Sequence, residues 1–305
     1  MARKKAGRKK KGKKGLFIWF TLCLLLFCSV LATVYLVFLR PGTVRPPAAP
    51  LSGISKKKPA EVPVKPALPP APTVTPAPAK KKPVGAQGPL VSIVIDDMGF
   101  QDKICFDLLA LDLNLSFAFL PFGPHTAKQL EEAWKSKRDI LLHLPMEPHD
   151  DRWSPGPGAL FTGMGNSEIR SLIERDIAAV PHIIGVNNHM GSRFTENRPA
   201  MRACLGLLKE RNLFFLDSLT SSNSVGFAVA KEMGVRSARR DIFIDNNQDP
   251  EQVMKQLDAL IRVAEKKGFA IGIGHPHQGT FAALKKYKMK LRNRVQLVGV
   301  SRLVR

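Results

Sequence analysis

Between Gly88 and Arg305, short apolar runs alternate with segments of helical periodicity, and nothing else in the chain constrains its fold as much. Eight runs read as strands: LVSIVI, LSFAFL, DILLHL, HIIGVNN, LFFLDS, RDIFID, FAIGIG and VQLVGV. Between them lie amphipathic segments such as TAKQLEEAWKSK, SEIRSLIERDIAAV, RPAMRACLGLLKER, NSVGFAVAKEMG and PEQVMKQLDALIRVAEKKG. The last sets Val253, Leu257, Leu260, Ile261 and Ala264 at helical spacing and ends at Gly268, a good helix stop. A helix after each strand carries the chain back to its starting end, so the strands run parallel and the fold class is α/β. Eight strands in residues 88–305 suit a barrel or an open doubly wound sheet, and the absence of an internal repeat favours one domain.

In both architectures, functional groups gather at the C-terminal ends of the strands. Those ends carry Asp96 and Asp97 in VIDD, His143 and Glu147 in LLHLPME, and Asn187, Asn188, His189 and Arg193 in VNNHMGSR. Asp217 and Ser218 follow in FLDS, and His275 and His277 in IGIGHPH. One Asp after a strand is usually an N-cap, but polar groups at five strand ends on one face point to a site. The adjacent carboxylates Asp96 and Asp97 repel each other unless a cation lies between them. A carboxylate with two imidazoles suits Zn²⁺ best and admits other divalent ions. Such an ion lowers the pKa of its bound water toward about 7, a second carboxylate can take the proton, and an imidazole opposite can protonate a departing amine. Neighbouring strand residues point to opposite faces. Past the strand end the chain turns, so one Asp can ligate while the other stays free as base. The loop PMEPHDDRWSPGPGALFTGMGN is long and rich in Pro and Gly, a kind of loop that is often functional. Its Trp153 and Phe161 either pack locally or offer a flat face to a sugar ring.

Residues 1–87 have a different composition. They hold 18 Lys/Arg against one acid, Glu61, so most of the formal charge of +22 belongs to them and about +5 to the rest. The overall basicity is therefore no sign of a nucleic-acid partner. Residues 1–15 form a basic tail. Residues 16–39 are 24 residues without a charge, a helix of about 36 Å and enough to span a bilayer. The basic tail sets its N-terminus in the cytoplasm. The expectation is a single-pass anchor in the inner (cytoplasmic) membrane, with the C-terminal domain periplasmic or otherwise extracytoplasmic. A cleaved signal peptide is the alternative, but its apolar run is normally about 7–15 residues. Residues 40–87 are a Pro/Lys-rich linker expected to be disordered, since Pro41–Pro89 holds 14 prolines in 49 residues and few large apolar side chains. Cys105 and Cys204 fall in predicted helices. No CxxC spacing exists, and the one pairing open to the folded part in an oxidising compartment is Cys105–Cys204.

The ordered motifs IVIDDMG, FAFLP, ILLHLPMEP, NNHMGSRFT, FLDS and GHPH resemble the divergent polysaccharide deacetylase family of bacterial envelope proteins, a distant branch of the NodB-like carbohydrate esterases. The likeness covers residues 88–305. It implies an irregular (β/α) barrel and a divalent metal used to remove N- or O-acetyl groups from glycans. It also implies that Asp96 is the base and Asp97 a metal ligand. In the family's His-x-x-x-His motif, His143 matches the first position and Glu147 stands at the second. The remaining ligand is then His189, or Glu147 itself. His275 or His277 matches the general acid, and Asn188, Arg193, Asp217 and Trp153 are expected around the substrate. The resulting expectation is a membrane-anchored, metal-dependent deacetylase of an envelope polysaccharide. Two alternatives stand beside it. One is a barrel without turnover that binds glycan or an envelope protein; the other is a hydrolase of a different ester, such as a phosphoester, with a second bridging metal.

Overall fold

The computed structural model describes residues 88–305; the basic tail, anchor and linker expected over residues 1–87 lie outside the described residues. The order of elements is β1 (Leu90–Met98), α1 (Lys103–Leu109), β2 (Ser116–Phe119), α2 (Thr126–Lys135), β3 (Ile140–Met146), α3 (Asn166–Ala179), β4 (Gly185–Met190), α4 (Arg198–Glu210), β5 (Phe214–Asp217), α5 (Gly226–Glu232), β6 (Ser237–Arg239), β7 (Ile242–Phe243), α6 (Pro250–Lys267), β8 (Phe269–Gly274), α7 (Gln278–Arg294) and β9 (Gln296–Leu297). Every strand pairing is parallel, as the alternation demands. Among the described residues, no helix is long and apolar enough to cross a membrane.

The strand order is β6-β5-β4-β3-β2-β1-β8-β7, with β9 beside the first residues of β1. The end strands β6 and β7 are consecutive in the chain, joined only by Arg240 and Asp241. Three Cα steps reach at most about 11 Å. A flat sheet of eight strands would hold its edges on the order of 34 Å apart. The sheet must therefore curl, and it forms the incompletely closed, irregular α/β barrel that the sequence resemblance implies.

Period-two alternation sorts the side chains into two cores. Ile93, Ile95, Leu142, Leu144, Val186 and Phe215 face outward onto helical residues such as Leu108, Ile173, Leu205 and Leu257. Val94, Ala118, Leu141, Phe214, Leu216, Ile271 and Ile273 fill the barrel. Gly185 faces the same interior, where a Cβ would sit 2.3 Å from the Phe214 ring, so β4 needs glycine there. Val298, Val300 and Leu303 plug the barrel from below. Val298 N–H donates to Val91 O, Val300 N–H to Ser116 Oγ and Ser301 N–H to Asp139 Oδ2, all near strand starts. With the bottom sealed by apolar packing, the strand tips are left as the open end.

Helix limits follow local chemistry. Asp249 caps α6 by accepting from Glu251 N–H and Gln252 N–H, and Gly268 ends it at φ 88°. The sequence does not foreshadow β6, whose SAR segment has no apolar run and is a strand only by pairing with β5. RDIFID yields a strand of just two residues, Ile242–Phe243. Cys105 and Cys204 are buried and free, and burial pushes the Cys204 thiol up to about 12.

Candidate metal centre

On six strands, the inward position next above the apolar interior is polar. Asp96 follows Val94, His143 follows Leu141, Asn187 follows Gly185, Ser218 follows Leu216, Asp245 follows Phe243 and His275 follows Ile273. Parallel register keeps these residues at one level; His143 and Asn187 are direct partners across β3 and β4. The barrel thus carries a polar layer directly on top of an apolar one.

Asn187 organises the layer. Its Nδ2 donates to Asp96 Oδ1 at 2.8 Å and to Ser218 Oγ at 3.1 Å. Its Oδ1 is left to accept from His143 Nδ1 at 3.0 Å. That fixes the proton of neutral His143 on Nδ1 and leaves the Nε2 lone pair pointing into the mouth. His189 stands two residues above Asn187 on the same face of β4.

Simple alternation would aim Asp97 outward. The ladder of β1 slips between Ile95 and Met98, and Asp97 adopts φ 54°, which turns its carboxylate inward. Asp97 Oδ1 lies 3.3 Å from His143 Nε2 and 3.0 Å from His189 Nδ1, and the two nitrogens are 3.2 Å apart. Yet no N–H is aligned on this buried oxygen as a hydrogen-bond donor. Ligands at about 2.0–2.2 Å in a tetrahedral zinc site lie roughly 3.3–3.5 Å from one another. The three atoms nearly match that triangle, and an unpaired buried carboxylate oxygen is costly unless a cation meets it. The residues present therefore fit a divalent ion.

The electrostatics agree. Burial pushes the Asp97 carboxyl up, but the two imidazoles outweigh it and hold its pKa well below the carboxylate range. Burial raises the Asp96 pKa, and His143 and His275 only partly offset this. Burial disfavours charge on His143, while Asp96 and Asp97 raise its pKa on balance. Asp96 Oδ2 lies 3.6 Å from His143 Nε2.

A second carboxylate with two imidazoles, Asp245 with His275 and His277, stands at the same end. Here the carboxylate is fully engaged. Oδ2 accepts from His275 N–H at 2.5 Å and Thr280 Oγ1 at 2.7 Å, and Oδ1 from His275 Nδ1 at 3.0 Å. Burial works against a charged His275, but Asp245 prevails and holds the pKa up at about 9. His275 is thus an imidazolium at neutral pH, with Nδ1 fixed and Nε2–H available. Phe243 stacks on it at 5.9 Å, and the Arg240 guanidinium lies 3.6 Å from the Phe243 ring centre. His277 stands at the N-cap position of α7 without a capping hydrogen bond from its side chain, and its Nε2 meets Gln248 Nε2 at 3.2 Å.

A scan of the sequence against family models matches the divergent polysaccharide deacetylase family over residues 93–304. The chain belongs to that family. It is 38% identical over 215 residues to an uncharacterized protein of Haemophilus influenzae, covering 70% of this chain and 76% of the relative. It is 34% identical over 214 residues to the uncharacterized protein YibQ of Escherichia coli, covering 70% and 67%. A crystal structure of an uncharacterized protein from Agrobacterium tumefaciens superposes with TM-score 0.69 and 27% identity, over 72% of this chain and 91% of that one.

In this member of the divergent deacetylase family, other residues singled out in the sequence lie outside the two groups. Glu147 Oε2 accepts from Thr162 N–H and Oγ1, each at 2.7 Å, and its Oε1 meets Arg193 at 3.3 Å. Burial raises its pKa, but these partners lower it on balance. Arg193 also donates to His149 O. Asn188 points away from the layer and binds Met190 O, Thr220 Oγ1 and Ser218 N–H. Asp217 is likewise on the outer face, where it accepts from Leu219 N–H, Ser224 Oγ and Phe227 N–H and shapes the entry to α5. Trp153 is 64% exposed on the long loop. Sequence reasoning passed over Asp245, the partner of His275. Counting two residues on from Phe243 would have found it.

Proposed function

We propose that this chain is a metal-dependent hydrolase that deacetylates an envelope polysaccharide. It would be held by residues 16–39 in the cytoplasmic membrane, with residues 88–305 on the extracytoplasmic side. The observation that carries the chemistry is Asp97 Oδ1, buried without a donor and within 3.3 Å of two imidazole nitrogens, beside the independent carboxyl of Asp96. Family membership supports the substrate class.

In this reading Asp97, His143 Nε2 and His189 Nδ1 hold one divalent ion, zinc by preference. Bound there, such an ion supplies an acidified water and polarises the acyl carbonyl. Asn187 keeps His143 in the ligating tautomer. Asp96, its pKa raised by burial, takes the proton of the attacking water. His275, held charged by Asp245, gives the Nε2 proton to the departing amine or alkoxide. His277 lies at the rim beside it. The two-metal phosphoester alternative is disfavoured because three donors already occupy the oxygens of Asp245.

The test is acetate release from acetylated glycans by the zinc-loaded full chain, wild type beside Asp96→Asn. The expected result is turnover that falls about 10²–10⁴-fold in the variant with metal retained. Equal rates would remove Asp96 as base. Metal binding without turnover on any acylated glycan would favour a barrel that binds glycan or an envelope protein.

A further inference from the structure

A cavity of about 200 Å³ opens beside the proposed metal ligands. Phe100, Leu120, Pro121, Pro145 and the turn Ser154–Pro157 line it, and His189 forms part of its wall. Almost all of this lining is apolar. The polar side-chain atoms it offers are the Ser154 hydroxyl, already in contact with Gly156 N–H, and the His189 ring. A pyranose in this half-open space would find only those two side-chain groups for the hydroxyls turned to the wall and would leave the others on that side unpaired. A hydrocarbon chain would not. A cavity of about 150 Å³ lined by apolar groups is enough for benzene, so this one takes on the order of six to eight carbons. Acetyl would fill only a small part of it. Phe100, 45% exposed at the rim, is the kind of surface a chain entering the cavity would cover.

We infer that the cavity is an acyl pocket, and that the group removed is an acyl chain of about six to eight carbons on an amino sugar. This rests on the hydrolase reading above and changes one part of it, putting a longer acyl group in the place of acetyl. With an ion held by Asp97, His143 and His189, an acyl carbonyl turned toward it would set its carbon substituent along the His189 wall and into the cavity. Water oxygen bonds to the acyl carbon, the C–N bond breaks, and the amine leaves with the proton from His275. The products are the free carboxylic acid and the amino sugar.

The test uses the zinc-loaded full chain in detergent and N-acylglucosamines with two-, four-, six- and eight-carbon chains. Burying a methylene fully contributes up to about fourfold. In a pocket open on one side, kcat/KM is expected to rise at least tenfold from two to six carbons. Ser154→Trp, which narrows the cavity from an exposed turn, should lower the six-to-two ratio by about tenfold, and Phe100→Ala should lower it less. Binding of hexanoate against acetate, read by calorimetry, separates the two claims. Turnover of the acetyl compound with rates falling as the chain lengthens would keep the hydrolase and overturn the pocket. Preference for hexanoate without any turnover would support the pocket and overturn the hydrolase. Neither turnover nor chain-length preference would overturn both.

Discussion

The barrel mouth holds two groups with the same composition, a carboxylate and two imidazoles, and their hydrogen bonds set them apart. Asp245 receives three donors and needs nothing more. Asp97 Oδ1 receives none, although two ring nitrogens lie within 3.3 Å of it. Residue type alone would make both groups metal sites. The count of satisfied lone pairs makes one a cradle for a cation and the other a fixed proton donor.

The largest effect expected from breaking this contrast is at Asp97. Asp97→Ala should abolish stoichiometric metal and all turnover, whereas Asp245→Ala should retain the ion; elemental analysis of both variants checks this. Next is the acid pair. Asp245→Asn should reduce kcat by about 10²–10⁴ with metal in place. In the metal-free protein, His275 has a folded pKa raised to about 9 from 6.5. Its pairing thus stabilises the fold fully below about 6.5, and this contribution is lost as pH rises through 9. Melting curves from pH 6 to 10 should show that loss in wild type and a smaller one in Asp245→Asn. A smaller effect is expected at Asn187: Asn187→Leu should weaken zinc about 10–100-fold by freeing the His143 tautomer, measured by chelator competition.

The smallest effect concerns a third buried carboxylate. Asp176 on α3 has no aligned hydrogen-bond donor and pairs only loosely with Arg175, whose Nε lies 3.7 Å from Oδ1, so burial outweighs that cation and raises its pKa to about 7. Stability is therefore full below the unfolded value of 3.8 and falls as pH rises through about 7. Asp176→Asn should raise Tm at pH 8, where wild type must charge the group, and change it little at pH 4. An unchanged Tm at pH 8 would show that the carboxylate finds a partner on ionising.

Much of this site could be read in the sequence where an apolar run ended in polar letters. Asp96, Asp97, His143, His189 and His275 all stand at such ends. What the sequence left open was direction. Asp96 and Asp217 look alike after their strands, yet parity turns Asp96 into the barrel and Asp217 onto its outer face. Asp97 breaks parity because its backbone is left-handed at φ 54°. Asp245 was hidden because its strand is two residues long and its partner lies 30 residues away. The same limit applied to the fold. Strong periodicity marked α4 and α6, while β6 exists only through the neighbour it pairs with.

The most direct test is an anomalous diffraction map at the zinc edge from crystals of the zinc-loaded protein. The account predicts one peak, bounded by Asp97 Oδ1, His143 Nε2 and His189 Nδ1, and none between Asp245, His275 and His277. A peak at the second group, alone or with the first, would contradict it.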